Sequence, residues 1–196
     1  MRVSIVIVAN PMSGRDIRRL VAKASVFPTA EKANMIERIL AAAAEGGVKE
    51  VLLSTDVGGV SSAVLRSLTA RRTSQRALPW PDVEFVELPA HSQTAADSIA
   101  TVHEMVRRGV RVIICLGGDG TARVVAGACG ETPMLPLSTG TNNAFPQLRE
   151  ATVAGLAAGL LATGAVDADD GTRRAGMLVV TAHTPSGPRT ENALVD

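Results

Sequence analysis

Apolar positions in this chain fall into two alternating patterns, short unbroken runs and stripes spaced three or four residues apart. The first run, residues 3–8, is rich in β-branched side chains and bounded by Asn10-Pro11, which predicts a buried strand. A helix over 14–24 follows, with Ile17, Leu20, Val21 and Ala24 on one face and Arg15, Arg18, Arg19 and Lys23 on the other. After a loop at 25–28, Thr29 is the expected N-cap of a helix over 30–45. Its buried stripe is Ala33, Ile36, Leu40 and Ala43, and Gly46-Gly47 stops it. Residues 50–54 predict a second strand, 60–71 a helix, and 72–82 an exposed connection in which Trp80, between two prolines, packs on the surface. A third strand spans 83–88. Ser92 is then expected to cap a helix running to Arg108, with Ile99, Val102 and Val106 inward and Gly109 at its end. A strand at 111–116, a short helix at 122–128, a strand at 133–137 and a helix at 152–163 complete the series.

Strands that alternate with helices imply an α/β fold: a doubly wound, mostly parallel sheet covered by helices on both faces. Residues 1–166 form this α/β nucleotide-binding domain in the expected organisation. Residues 167–196 break the rhythm, with a polar linker, a strand at 176–182, a turn at 184–188 and a strand at 190–195. A lone hairpin is marginal in water. These residues are therefore expected to open an all-β second domain whose remainder is missing, making the chain a fragment. The alternative is a hairpin that extends the first sheet.

Composition narrows the function classes. Aromatic residues are only 2% of the chain, with no Tyr, which argues against the stacking platforms of single-strand nucleic-acid binders. The net charge of +1 leaves no electrostatic footprint for DNA or a membrane surface. No apolar run is long enough for a membrane span, and the first is cut too soon for a signal peptide, so a soluble cytoplasmic protein is expected. Cys115 and Cys129 read as reduced core thiols. His91, His103 and His183 have no partner at metal or triad spacing.

Three segments carry the candidate chemistry. Gly117-Gly118-Asp119-Gly120-Thr121 sits between a predicted strand and a helix, where glycine backbone and a helix N-terminus suit phosphate oxygens. The carboxylate in its middle would repel a bare phosphate, so it suggests a base for a hydroxyl or a ligand for Mg²⁺. Asn10-Pro11-Met12-Ser13-Gly14 follows the first strand, and Ser138-Thr139-Gly140-Thr141-Asn142-Asn143 follows the strand after the glycine segment. Each alone is ordinary turn chemistry. All three at strand carboxyl ends are better explained by one shared nucleotide site. The Walker A pattern does not occur, and Gly-x-Gly-x-x-Gly fails at Arg123, which argues against a dinucleotide dehydrogenase.

These segments resemble a known superfamily. Gly117-Gly118-Asp119-Gly120-Thr121 is similar to the signature of ATP-NAD kinases and of diacylglycerol- and sphingosine-type lipid kinases. Asn10-Pro11-Met12-Ser13-Gly14 resembles the first-strand loop of the lipid-kinase branch, and 139–145 resembles the Gly-Thr-x-Asn element after the next strand. Together with residues 15–19 and Phe27-Pro28-Thr29-Ala30-Glu31-Lys32, the combination resembles the acetoin catabolism protein X family.

The resemblance implies an N-terminal α/β domain, a β-rich C-terminal domain and an active site between them. It implies ATP and Mg²⁺ as cofactors, and γ-phosphoryl transfer to a hydroxyl on a small molecule or nucleotide. Asp119 would be the catalytic base or metal ligand. Gly117, Gly118, Gly120 and Thr121 would cradle phosphate, and Asn10, Ser13, Gly14, Thr139, Gly140, Thr141, Asn142 and Asn143 would complete the nucleotide site. Arg15 or Arg18 would add positive charge, or else belong to a solvated helix face. NAD kinases carry an Asn-Glu pair for substrate ribose; Val195 and Asp196 stand there in this chain, which puts NAD as acceptor in question. The rival expectation is a non-catalytic nucleotide-binding regulator linked to acetoin catabolism. Neither reading needs nucleic acid or a membrane, and both allow a homo-oligomer.

Overall fold

The computed structural model describes residues 4–14, 27–72, 80–87, 92, 94–140 and 142–195. Five parallel strands form the main sheet: β1 (Ser4–Ala9), β2 (Glu50–Ser54), β3 (Asp82–Val86), β4 (Val112–Gly117) and β5 (Met134–Ser138), in the order β3-β2-β1-β4-β5. The helices are α1 (Thr29–Glu45), α2 (Val60–Arg72), α3 (Ala95–Arg107), α4 (Asp119–Ala128), α5 (Ala151–Thr163) and a single turn, α6 (Ala168–Gly171).

The inner strands β1, β2 and β4 are largely apolar on both sides because both sides are covered, whereas edge strand β3 leaves Asp82 and Glu84 exposed. Ile5, Ile7, Val51, Leu53, Ile114 and Leu116 share one core with the buried stripes of α1 and α5. Their neighbours Val6, Val8, Leu52, Ile113 and Cys115 point the other way, into a core with Val102, Met105 and Val125 of α3 and α4. The stripe expected on α1 is buried as expected. Its neighbour α5 carries no charge at all, and glycines let the two helices touch. A Cβ on Gly155 would lie 2.6 Å from the Ile39 carbonyl oxygen.

From β1 the chain builds outward through β2 and β3, then crosses back to place β4 on the other side of β1. That reversal is the topological switch point, where a doubly wound sheet opens a crevice beyond the strand carboxyl ends. Ala9 pairs with Leu116, and Gly117 with Ser138, so the ends of β1, β4 and β5 are level.

The remaining strands, β6 (Gly176–Thr184) and β7 (Gly187–Val195), form a separate antiparallel hairpin and do not extend the main sheet. The hairpin rests on α4, where Arg123 pairs with Glu191 and donates to the Asn192 carbonyl at 3.4 Å. Met177, Leu178, Val179 and Val180 on β6 remain exposed.

Several local expectations are corrected. Thr29 is the first residue of α1, and Pro28 occupies the cap without a side-chain bond. Thr94, not Ser92, caps α3, since its hydroxyl accepts from the Ala96 N–H at 3.2 Å. Ile99 is 38% exposed, and Thr101 and Met105 join Val102 on the inward face. Trp80 is half-buried against the α1-side core, with the Arg71 guanidinium 3.9 Å above its ring. The helix expected over 14–24 lies outside the described residues beyond Gly14.

Candidate functional site

The glycine segment is not a loop. Gly117 ends β4, Gly118 is the N-cap, and α4 already begins at Asp119, three residues earlier than the sequence suggests. No side chain caps this helix, so the positive end of its dipole faces the crevice with first-turn N–H groups not bound by a cap.

The glycines serve different purposes. Thr121 folds back over Gly117, where a Cβ would come within 2.4 Å of the Thr121 Cβ. Gly118 and Gly140 make room for Asn143, whose Oδ1 would lie 2.9 and 2.8 Å from a Cβ at either position. Gly120 is exposed, and a Cβ there would meet nothing within 4 Å. Of the three signature glycines, Gly120 alone is unconstrained by packing.

The three segments that the sequence singles out do meet. Asn10 Nδ2 donates to Thr121 Oγ1 at 2.8 Å, joining the first loop to α4. Ser13 Oγ lies 2.7 Å from Thr139 Oγ1, joining the first loop to the third. The Asp119 carboxylate accepts from the Ala144 N–H at 3.1 and 2.9 Å and from the Phe145 N–H at 2.9 Å, joining α4 to the third loop. Asn143 Nδ2 donates to Ser138 Oγ at 2.7 Å. Backbone bonds from Asn10 N–H to the Leu116 carbonyl and from Thr139 N–H to the Gly117 carbonyl seal both sides of β4.

Most of the polar side chains expected to touch a nucleotide are thus bonded to one another. Asn10 Oδ1 accepts from the Met12 N–H at 2.8 Å, and Thr139 is fully buried. The crevice surface is left to Met12, Gly120, Asn142 and Ala144, all exposed, with Asn142 in the left-handed region at φ 55°. Gly14 is left-handed too, at φ 69°. Thr141 lies outside the described residues.

Two supports escaped sequence reasoning. Lys32, fully buried on α1, donates to the carbonyls of Pro11 at 2.9 Å and Ser13 at 2.7 Å. Gly58, in the loop after β2, packs so closely on Pro11 that a Cβ would lie 2.2 Å from the proline ring. Periodicity gives no sign of either; a lysine on the apolar side of the α1 stripe was the available clue.

Other chemistry recedes. Burial pushes the Cys115 thiol up to about 12 and raises that of Cys129, so neither is a thiolate nucleophile. No group of three or more His, Cys, Asp or Glu gathers to hold a metal among the described residues. A separate cavity of about 430 Å³ lies between Val110, Arg111, Glu131 and Pro133, at the opposite end of the sheet. No described helix is long and apolar enough to cross a membrane.

The ATP-NAD kinase N-terminal domain family matches residues 5–166. Acetoin catabolism protein X of Cupriavidus necator is 43% identical over 160 residues, which is 82% of this chain and 44% of that protein. The chain therefore spans less than half the length of this relative. No solved structure matches it.

Proposed function

The chain belongs to the ATP-NAD kinase family, and on that premise we propose that it binds ATP and serves transfer of the γ-phosphoryl group to a hydroxyl of a small molecule or nucleotide. One observation carries this reading. The loops after β1 and β5 are locked to each other and to α4 at the switch point, around an uncapped helix N-terminus with an exposed glycine and a carboxylate in its first turn. Such a site offers backbone donors to anionic oxygens, and phosphoryl transfer depends chiefly on positioning and charge stabilisation.

Asp119 is the chemical group of the site. Its Oδ1 accepts two backbone bonds and its Oδ2 one, which leaves Oδ2 the more available oxygen. That atom suits either the proton of an acceptor hydroxyl or Mg²⁺, which is held by one or two carboxylates together with substrate phosphates. Bound there, the ion would supply neutralisation of phosphate charge. Residues 167–196 are read as the opening of a β-rich second domain, with residues 1–166 as the first, and the hairpin's ion pair with Arg123 ties it to the nucleotide helix.

A specific observation favours a second reading. The Asp119 carboxylate caps the backbone of Ala144 and Phe145, a structural task sufficient to explain its presence. A nucleotide-binding regulator linked to acetoin catabolism, as the relative's name suggests, would need no base. The deciding experiment incubates the protein with Mg-ATP and a panel of hydroxylated acceptors. Acceptor-dependent ADP release supports the kinase; saturable ATP binding without turnover supports the regulator; no ATP binding removes both.

A further inference from the structure

We propose that Lys32 is a positioning residue that shapes the loop after β1 to receive the polyphosphate part of the nucleotide, an inference that rests on the ATP-binding reading above. Lys32 is fully buried on α1, yet its ammonium reaches past the helix to two carbonyls of one loop, Pro11 and Ser13. Lysine is almost never fully buried unless its ammonium is paired, and here two of its partners are carbonyls of the loop after β1. The two bonds have a directional consequence. A trans peptide is planar, with its N–H opposite its C=O. Drawing the Pro11 and Ser13 oxygens toward Lys32 turns the N–H groups of Met12 and Gly14 to the other side.

The Met12 N–H is held by Asn10 Oδ1. That side chain is fixed in turn by Thr121 on the nucleotide helix. Gly14 is buried and lies in the left-handed region at φ 69°, a backbone form found where successive N–H groups line an anion-binding hollow. The lysine also holds two carbonyl oxygens, the negative ends of their dipoles, away from where phosphate would lie. Ser13 is clamped from its other side by Thr139, so the loop cannot turn over as a unit. A lysine that served packing alone would not need to bridge alternate carbonyls beneath the same loop that the site uses.

The effect should be confined to phosphate. In calorimetric titrations at matched ionic strength, Lys32→Met is expected to weaken Mg-ATP binding by about tenfold or more, the scale of a lost charge-assisted hydrogen bond. Adenosine binding should stay within about twofold, since adenosine carries no anionic group. Lys32→Gln, which retains amide donors for the carbonyls, should recover part of the ATP affinity. It also provides the test if Lys32→Met does not fold. Equal losses for ATP and adenosine, or no loss for either, would overturn the proposal. A native protein that binds neither ligand overturns the nucleotide reading and this inference with it. Native binding of ATP with undiminished binding by the folded variants overturns this inference alone.

Discussion

Ser13 and Thr139 stand 126 positions apart in the chain and share a hydroxyl–hydroxyl hydrogen bond of 2.7 Å. The contact closes a ring of loops around β4. Ser13 leaves β1, Thr139 leaves β5, and the strand between them delivers the glycine segment. With Asn10 held by Thr121 and Asp119 holding Ala144, the crevice is a stitched rim on which backbone, more than side chains, faces outward.

The Ser13–Thr139 pair should therefore be energetically coupled. In a double-mutant cycle of Ser13→Ala and Thr139→Val, urea unfolding is expected to give a coupling of about 0.5–3 kcal/mol. Strict additivity of the two single changes would show that the hydroxyls do not act together.

Replacing Asp119 by Asn separates its two tasks. The amide oxygen is still able to accept from the Ala144 and Phe145 N–H groups, but the charge and the basicity are lost. Acceptor-dependent turnover should fall by roughly 10²–10⁴-fold, the usual range for general base catalysis, while ATP affinity changes little. Single-turnover assays that recover native rates would exclude the base role.

Two glycines of the signature should respond in opposite ways. Gly117→Ala forces a Cβ into the Thr121 side chain and should cost about 1–3 kcal/mol of stability, as overpacking does. Gly120→Ala has open space inside a helix and should gain up to about 1 kcal/mol. The same methyl would stand where phosphate approaches, so Gly120→Ala should melt higher yet bind Mg-ATP more weakly. Unchanged ATP affinity in that variant would move the ligand off the first turn of α4.

An acid limb is expected away from the site. Hydrogen bonds from Arg107, and then from Arg108, lower the Glu104 carboxyl from 4.5 to about 2. Arg108 also reaches Glu84 on β3 at 2.5 Å, so the cluster joins α3 to the sheet edge. Because the folded value lies below the unfolded one, the contribution is present above pH 4.5 and is lost as pH falls toward 2. Glu104 lies at the surface with 30% of its side chain exposed, and solvent screens such a pair, so the effect is small. Melting temperatures of Glu104→Gln should show a shallower decline across that window, and a slope equal to that of the native protein would argue against the cluster.

The order of strands and helices was legible in the sequence because burial on a strand or helix repeats every two or 3.6 residues, within reach of a local pattern. Residues 50–54 and the α1 stripe were read that way with their observed bounds and burial. The caps of α1 and α3 were not, since Thr29, Ser92 and Thr94 are equally able to cap, and geometry alone chose among them. The early start of α4 was hidden because Asp119, Gly120 and Thr121 are weak helix formers, and the Asn10 bond to Thr121 together with the Asp119 bonds to the third loop outweighs that tendency.

The sequence by itself thus determined the fold class and the three segments that carry chemistry, because both are written in neighbouring residues. Only the tertiary structure decided that those segments meet at one switch point, that their polar side chains bind one another, and that a buried lysine from α1 supports the first loop. Strand order and contacts between residues a hundred positions apart depend on how the whole sheet pairs and packs, and no local pattern records that choice.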